Sequence, residues 1–141
     1  ETLSIRMQRH SENALALATA MKSIPEVTQV NYLGLTTSPS HDRAKQWFRS
    51  ECFGGMLTID LGSQDTAFAF IKALKIAKNA ANLGDSKTLV IHPHSTIYHG
   101  RPEIECEQAG VTPGLVRVSV GLENSVDIIQ DFKQALQEVS K

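Results

Sequence analysis

The sequence predicts an α/β sandwich in which helices pack against a single β-sheet. Two observations support this fold class. Segments with helical hydrophobic spacing alternate with short strand-like segments, in the order helix, strand, helix, strand, helix, strand, helix, strand, helix. The 141 residues, 41% of them hydrophobic, suffice for one domain with a sizeable core. The pattern alone leaves the strand directions open, and it contains no internal repeat.

The first third of the chain predicts helix, strand, helix. The first helix should end before Pro25, because proline cannot continue a helix. A strand is expected over 27–33, a polar loop over 34–40 and a short helix over 41–48, which carries the only tryptophan. The stripe that indicates the first helix consists of Leu3, Met7, His10, Ala14, Leu17 and Met21.

The middle of the chain begins after Gly54-Gly55, a pair that interrupts regular secondary structure. Residues 56–61 alternate as a strand does. Ser63 is a plausible N-cap for the next helix, because its hydroxyl can accept a hydrogen bond from a free backbone N–H. Residues 76–81 are ambiguous between the end of that helix and a strand. The face that indicates this helix contains Ala67, Phe70, Ile71 and Leu74.

The last third predicts strand, helix, strand, helix. Short strands are expected over 88–91 and 115–120, with an irregular loop over 94–101 and a short helix over 102–108 between them. Asn124 can cap the final helix. The apolar face of that helix contains Ile128, Phe132 and Leu136.

Composition excludes several functional classes. The formal net charge is −1 with both signs interspersed, so neither a nucleic-acid footprint nor a polybasic membrane face is indicated. No apolar stretch is long enough to span a bilayer. Cys52 and Cys106 stand far apart in no metal or redox spacing, which indicates reduced thiols in a cytoplasmic protein.

Arg117 is the first candidate functional residue. Val116, Val118 and Val120 share one face of the predicted strand, so Arg117 and Ser119 lie on the other face. A guanidinium can grip a carboxylate through two parallel hydrogen bonds, as an enzyme acting on an amino acid requires. The alternative is an arginine on the solvated face of a half-buried sheet.

Asn82 is the second candidate. It precedes Leu-Gly-Asp in a turn that can offer backbone N–H groups and a side-chain amide to an anion. An ordinary turn is the alternative. Nearby Lys87 is expected at the surface, because nothing around it suggests the desolvation that a Schiff-base lysine needs.

The histidines suggest a metal site only weakly. His92, His94 and His99 lie close in sequence, but no carboxylate or thiolate stands at a supporting spacing. We therefore expect no metal. His10 lies on the stripe of the first helix, where a packed histidine is more common than a ligand.

Three segments together resemble the Cys/Met-metabolism family of pyridoxal-phosphate (PLP) enzymes. They are ETLSIRMQRHSENA at 1–14, NLGDSKTLVIHP at 82–93 and GLVRVSVGLE at 114–123. The last is similar to the family's glycine-leucine-isoleucine-arginine-leucine-serine-valine-glycine motif. The second is most similar to the O-acetylhomoserine sulfhydrylase branch, which commonly has Asn-Val-Gly-Asp.

The resemblance implies that residues 1–141 form the small C-terminal domain of a fold-type I PLP enzyme. It implies a mostly antiparallel sheet with helices on one side. Arg117 would bind the substrate carboxylate, and Asn82 would lie beside it. Lys87 is not the lysine that binds PLP in this family, so no catalytic or cofactor-binding residue is expected here. Arg6, Arg9 and Glu12 would be surface or interdomain residues.

One segment departs from the family pattern. The family usually runs from the His-Pro pair to a polar Thr-His pair four residues on. This chain has Ile97 where a polar residue is common, and its histidine, His99, comes one place later. No substrate contact is therefore transferred to this loop.

The implied activity is γ-replacement on O-acetyl-L-homoserine, in which sulfide or a thiol displaces acetate to give homocysteine or a related thioether. An upstream large domain would carry the PLP lysine, so the chain alone should be inactive. The intact enzyme would form a homodimer or homotetramer. Alternatives are a cystathionine γ-synthase or a β- or γ-lyase of the same family, or a non-enzymatic α/β binding module. As part of an enzyme, the chain should leave some apolar residues of the first helix and the sheet uncovered.

Overall fold

The computed structural model describes residues 1–49 and 51–139. In chain order the elements are α1 (Leu3–Lys22), β1 (Gln29–Asn31), α2 (His41–Trp47), β2 (Met56–Asp60), α3 (Gln64–Ala73), β3 (Lys78–Asn79), β4 (Leu89–Ile91), α4 (Glu103–Gln108), β5 (Leu115–Ser119) and α5 (Ser125–Val139).

The strands form one sheet in the order β1-β2-β5-β4-β3. The pairs β1–β2, β2–β5 and β5–β4 are antiparallel, and β3 pairs with β4 in parallel at the edge. The expected mostly antiparallel sheet is confirmed. Strand β5 lies in the centre, so the residues at its middle are flanked by a strand on each side.

The hydrophobic core lies on one face of the sheet. Val116 and Val118 are completely buried there, as is Val120 just beyond β5. They belong to one cluster with residues of three helices, Leu17 of α1, Phe70 of α3 and Phe132 of α5. Cys106, the buried residue of α4, is outside that cluster. The sandwich therefore has α1, α3 and α5 on one side of the sheet, and Arg117 is on the other side.

Most predicted elements are present with shorter bounds. The strand expected over 27–33 is only Gln29–Asn31. Just before it, Thr28 donates both its N–H and its hydroxyl to the carbonyl of Asp60 on the neighbouring strand β2. The ambiguous segment 76–81 contains the two-residue strand Lys78–Asn79. Both of its residues are exposed, so no hydrophobic pattern marks it.

The predicted helix caps are confirmed. The Ser63 hydroxyl accepts a hydrogen bond from the Thr66 backbone N–H at 3.2 Å. Asn124 Oδ1 accepts one from the Val126 N–H at 3.0 Å at the start of α5. These bonds satisfy N–H groups that would otherwise lack a partner at a helix start. Pro102 is the residue before α4 rather than its first helical residue.

The predicted apolar stripe of α1 is buried over its C-terminal part and exposed near its start. Leu17 and Met21 are fully buried. By contrast, Leu3 is 68% exposed and Ile5, beside the stripe, is 73% exposed. On the sheet, Met56 is 38% exposed. Among the described residues, no helix is both long and apolar enough to cross a membrane.

Candidate functional site

Arg117 lies at the middle of the central strand β5, on the face opposite the core. In the sheet register it is flanked by Thr58 of β2 and Ile91 of β4. Its side chain is half-buried. It contributes to the lining of a groove of about 240 Å³, whose lining residues are Asn31, Tyr32, Leu33, Met56, Leu57, Thr58 and Arg117.

The structure brings Arg117 and Asn82 together, as the family resemblance implied. Arg117 Nη2 donates a hydrogen bond to the Asn82 backbone carbonyl at 3.3 Å. The exposed side chain of Asn82 bends back onto its own turn, where Oδ1 accepts from the Leu83 N–H at 2.9 Å. Its Nδ2 is the donor that this bond leaves for other partners.

The turn at residues 82–84 is also hydrogen-bonded at Gly84 to two further side chains. The Gly84 N–H donates to Ser119 Oγ at 3.0 Å, and Ser119 is buried two residues from Arg117 on the same strand face. Arg6 Nη2, from α1, donates to the Gly84 carbonyl at 2.8 Å. Arg6 was expected to be a surface or interdomain residue, and its contact with Gly84 was not predicted. Its only sequence signal was membership of the first family-like segment.

The backbone that follows the turn is held by hydrogen bonds among Gly121, Glu123 and Thr88. The Glu123 carboxylate accepts from the Thr88 N–H at 2.6 Å and from the Thr88 hydroxyl at 2.9 Å. The Gly121 N–H donates to that hydroxyl oxygen at 3.0 Å. A Cβ on Gly121 would collide with Glu123 Oε2 and lie 2.5 Å from both the Lys87 carbonyl carbon and the Ser86 carbonyl oxygen. Only glycine fits here without displacing the backbone that leads from the turn.

The glycine at the other end of β5 is needed for the same reason. A Cβ on Gly114 would lie 2.5 Å from the Gly62 backbone nitrogen and 2.6 Å from Asp60 Oδ1. That carboxylate accepts from the Gly62 N–H at 2.7 Å and, through its other oxygen, from the Thr112 hydroxyl. Both glycines of the GLVRVSVG motif therefore permit close backbone packing at the two ends of the strand that carries Arg117.

Both ring nitrogens of His92 have hydrogen-bond partners within the protein. Its Nε2 must donate to the Pro113 carbonyl, 2.7 Å away, because a carbonyl can only accept. Its Nδ1 accepts from the Ser95 N–H at 3.2 Å and lies 2.8 Å from the Ser95 hydroxyl. The residues that the structure describes contain no group of three or more His, Cys, Asp or Glu placed to hold a metal. His10 is buried, with Nδ1 2.6 Å from the Val120 carbonyl, which confirms a packed histidine.

None of the lysines that the structure describes is a desolvated amine. Lys87 is exposed, as predicted for a surface lysine. The described lysines are all exposed: Lys22, Lys45, Lys72, Lys75, Lys78, Lys87 and Lys133. A lysine that forms a Schiff base needs burial or a neighbouring cation to become neutral. The described residues thus fit a carboxylate better than they fit covalent attachment of PLP.

Two side chains at the site have shifted pKa values. The Lys87 backbone N–H is the main cause of a lowered pKa of the Asp85 carboxyl, and the Ser86 hydroxyl adds to it. Burial raises the pKa of Tyr32, with a smaller contribution from the charge of Cys52. The Tyr32 hydroxyl therefore stays neutral and donates within the protein, lying 2.9 Å from the Gly54 carbonyl and 3.2 Å from that of Ser11.

This arrangement is suited to binding a carboxylate. In the described part of the chain, the Arg117 guanidinium makes only its hydrogen bond to the Asn82 carbonyl and forms no ion pair. A guanidinium has five N–H donors, so those on its remaining edges can face a ligand. The fold and the site together define an α/β domain that presents a guanidinium without an acidic partner, among the described residues, on the sheet face opposite its core.

The chain belongs to the Cys/Met metabolism PLP-dependent enzyme family, whose model matches residues 1–137. Its relatives include O-acetyl-L-homoserine sulfhydrylase 1 of Thermus thermophilus, 46% identical over 96% of this chain and 32% of the relative. L-methionine gamma-lyase of Fusobacterium nucleatum is 39% identical over 99% of this chain and 35% of the relative. The chain thus spans about a third of the length of the relatives it matches.

A solved structure confirms the fold. A putative O-acetylhomoserine (thiol)-lyase from Campylobacter jejuni, which carries N'-pyridoxyl-lysine-5'-monophosphate, superposes with a TM-score of 0.94 at 38% identity. The match covers 96% of this chain and 32% of that protein. The fold expected from the family resemblance is therefore the fold observed.

Proposed function

We propose that this chain is the C-terminal domain, residues 1–141, of an O-acetylhomoserine sulfhydrylase and that it recognises the carboxylate of the amino-acid substrate. The observation that carries the proposal is the position of Arg117. Its guanidinium lies half-buried on an inner strand, bound to one backbone carbonyl and to no acidic side chain among the described residues. Relatives named as sulfhydrylases, 42–46% identical to this chain, support the choice of reaction.

Arg117 would act by binding and orientation. Its fork can donate two parallel hydrogen bonds to the carboxylate oxygens. These bonds would fix the plane of the carboxylate and thereby orient the α-carbon attached to it. Asn82 would add a donor from Nδ2, because its Oδ1 already accepts from the Leu83 N–H. Holding the substrate in one orientation removes part of the entropic barrier to reaction. PLP, when bound, supplies the electron sink for γ-replacement.

The cofactor lysine would come from outside these 141 residues. Every described lysine is exposed, and the relatives are about three times longer than the match. We therefore expect a large domain that carries the lysine, and we expect the isolated chain to be inactive. That domain would also cover apolar residues such as Leu3 and Ile5, which are exposed in this structure. We expect the intact enzyme to be a homodimer or homotetramer.

A second candidate within the family is a lyase. It is favoured by one observation, the 39% identity with an L-methionine gamma-lyase over 99% of this chain. A cystathionine γ-synthase or another β- or γ-lyase would use the same carboxylate site. The non-enzymatic binding module is disfavoured, because the family match extends over residues 1–137.

The test uses the full-length protein that contains this chain. It is incubated with O-acetyl-L-homoserine and sulfide, then with O-acetyl-L-homoserine and cysteine, and then with L-methionine alone. A sulfhydrylase gives homocysteine in the first reaction as its main activity. Cystathionine in the second reaction as the dominant product identifies a synthase, and methanethiol from L-methionine identifies a lyase. No turnover of any of these amino acids would overturn the proposal.

A further inference from the structure

We infer that Arg6 is a positioning residue for the carboxylate site and that it acts through the turn at residues 82–84. This inference rests on the proposed function, because it specifies how the binding site is kept in place. Arg6 lies 78 positions before Gly84, yet its Nη2 is 2.8 Å from the Gly84 carbonyl oxygen. Its side chain is half-buried, although it lies in the otherwise exposed first turns of α1.

The turn depends on three side chains for its tertiary position. Arg117 binds the Asn82 carbonyl at 3.3 Å, Ser119 accepts the Gly84 N–H at 3.0 Å, and Arg6 binds the Gly84 carbonyl. Two of these side chains come from the same strand, β5. Arg6 comes from α1 and fixes the turn from a second direction. The shortest of the three bonds, and a charge-assisted one, is the bond from Arg6.

The local backbone alone does not fix this turn. Gly84 has φ +71°, a conformation that glycine adopts readily, and no atom lies within 4 Å of where a Cβ would be. Residues 82–84 are all exposed. A turn with open space around it and a permissive residue at its centre needs external bonds to keep one conformation. Removing the Arg6 bond should therefore let the Asn82 carbonyl shift relative to Arg117.

The geometry also predicts which substitution restores the function. Arg6 donates one N–H to one carbonyl, so a lysine can replace it with its single ammonium group. Arg117 is different, because two-point binding of a carboxylate needs the guanidinium fork. Arg9 is a matched control on the same helix. It also donates to a backbone carbonyl, that of Glu123 at 3.4 Å, but that carbonyl lies outside the turn.

The experiment compares Arg6→Met, Arg6→Lys and Arg9→Met in the full-length protein. Arg6→Met should raise KM for O-acetyl-L-homoserine on the order of tenfold, the scale of losing one charge-assisted hydrogen bond, with kcat within about twofold. Arg6→Lys should restore KM to near the wild-type value. Hydrogen exchange in a peptide covering residues 82–87 should become faster in Arg6→Met only.

Two results would overturn the inference. One is a KM for Arg6→Met that matches that of Arg9→Met, and the other is unchanged exchange at residues 82–87. An Arg117→Ala variant measured in parallel separates this failure from failure of the proposed function. If Arg117→Ala impairs substrate use and Arg6→Met does not, only the role of Arg6 is wrong. If Arg117→Ala leaves substrate use unchanged, the proposed carboxylate site itself is wrong.

Discussion

Replacing Gly121 with alanine should destabilise the domain at the base of the site. The added Cβ would lie 2.5 Å from the Lys87 carbonyl carbon and from the Ser86 carbonyl oxygen, and it would also collide with Glu123 Oε2. Two of these three atoms belong to the backbone and cannot move aside as a flexible side chain can. The Gly121 N–H bond to Thr88, at 3.0 Å, would be strained by any shift that relieves the overlap.

The expected loss follows from these two effects. Overpacking a tight site costs about 1–3 kcal/mol, and weakening a buried hydrogen bond costs about 1 kcal/mol more. We therefore expect Gly121→Ala to lower the free energy of unfolding by about 3 kcal/mol, which corresponds to a melting temperature roughly 10 °C lower for a chain of this size.

The assay is urea unfolding of the 141-residue chain followed by circular dichroism. The matched control is Gly100→Ala, where nothing lies within 4 Å of the new Cβ and only the positive φ of +76° opposes the change. That control should lose about 1 kcal/mol from backbone strain alone. If Gly121→Ala unfolds like the wild type, or like Gly100→Ala, the steric reasoning at this end of the motif is refuted.

Two further changes test the polar contacts around the core and the turn. Asp131→Ala should lower the free energy of unfolding, measured in urea, by at least about 3 kcal/mol. The reason is that the buried carboxylate accepts hydrogen bonds of 2.8–3.0 Å from the backbone N–H groups of Lys75, Ile76 and Ala77. The control, Asp127→Ala on the exposed side of α5, should lower it far less. An equal loss in both variants would contradict this. Asp85 has a lowered pKa, so its stabilising effect is present above the pKa of an unfolded aspartate, about 3.9, and disappears as the pH falls through the folded value. The difference in unfolding free energy between wild type and Asp85→Asn should shrink on acidification, and a pH-independent difference would contradict the assignment.

Much of the fold was predictable because its strands and helix ends show the expected side-chain alternation and capping residues. Alternation placed Val116, Val118 and Val120 on the core side, and all three are fully buried. The cap residues Ser63 and Asn124 make the predicted hydrogen bonds. Strand β3 was not predictable, since a two-residue edge strand with both side chains exposed has no hydrophobic signal. It is fixed by pairing with β4, a tertiary property.

The candidate site was predictable only in part, and the reason is sequence distance. Arg117 and Asn82 lie in separate motifs, and the family resemblance placed them side by side before the structure showed their contact. Arg6 lies on a helix whose first turns are largely exposed. Nothing in the residues around it therefore distinguishes it from an arginine that contacts only solvent. Its bond to Gly84 becomes visible only when α1 is packed against the sheet. Glu123 is similar, because its bonds to Thr88 connect residues 35 positions apart.

The most direct test of the account is the response of Arg117 variants to a substrate with and without its carboxylate. Arg117→Ala in the full-length protein should lower kcat/KM for O-acetyl-L-homoserine on the order of 100- to 1,000-fold, the scale of truncating one partner of a buried charge pair. We expect the wild type to turn over the corresponding methyl ester poorly, and Arg117→Ala should change that rate little. Arg117→Lys should restore only part of the loss, since it lacks the planar fork. Equal losses for the free acid and the ester, or no loss for either, would contradict the claim that Arg117 binds the substrate carboxylate.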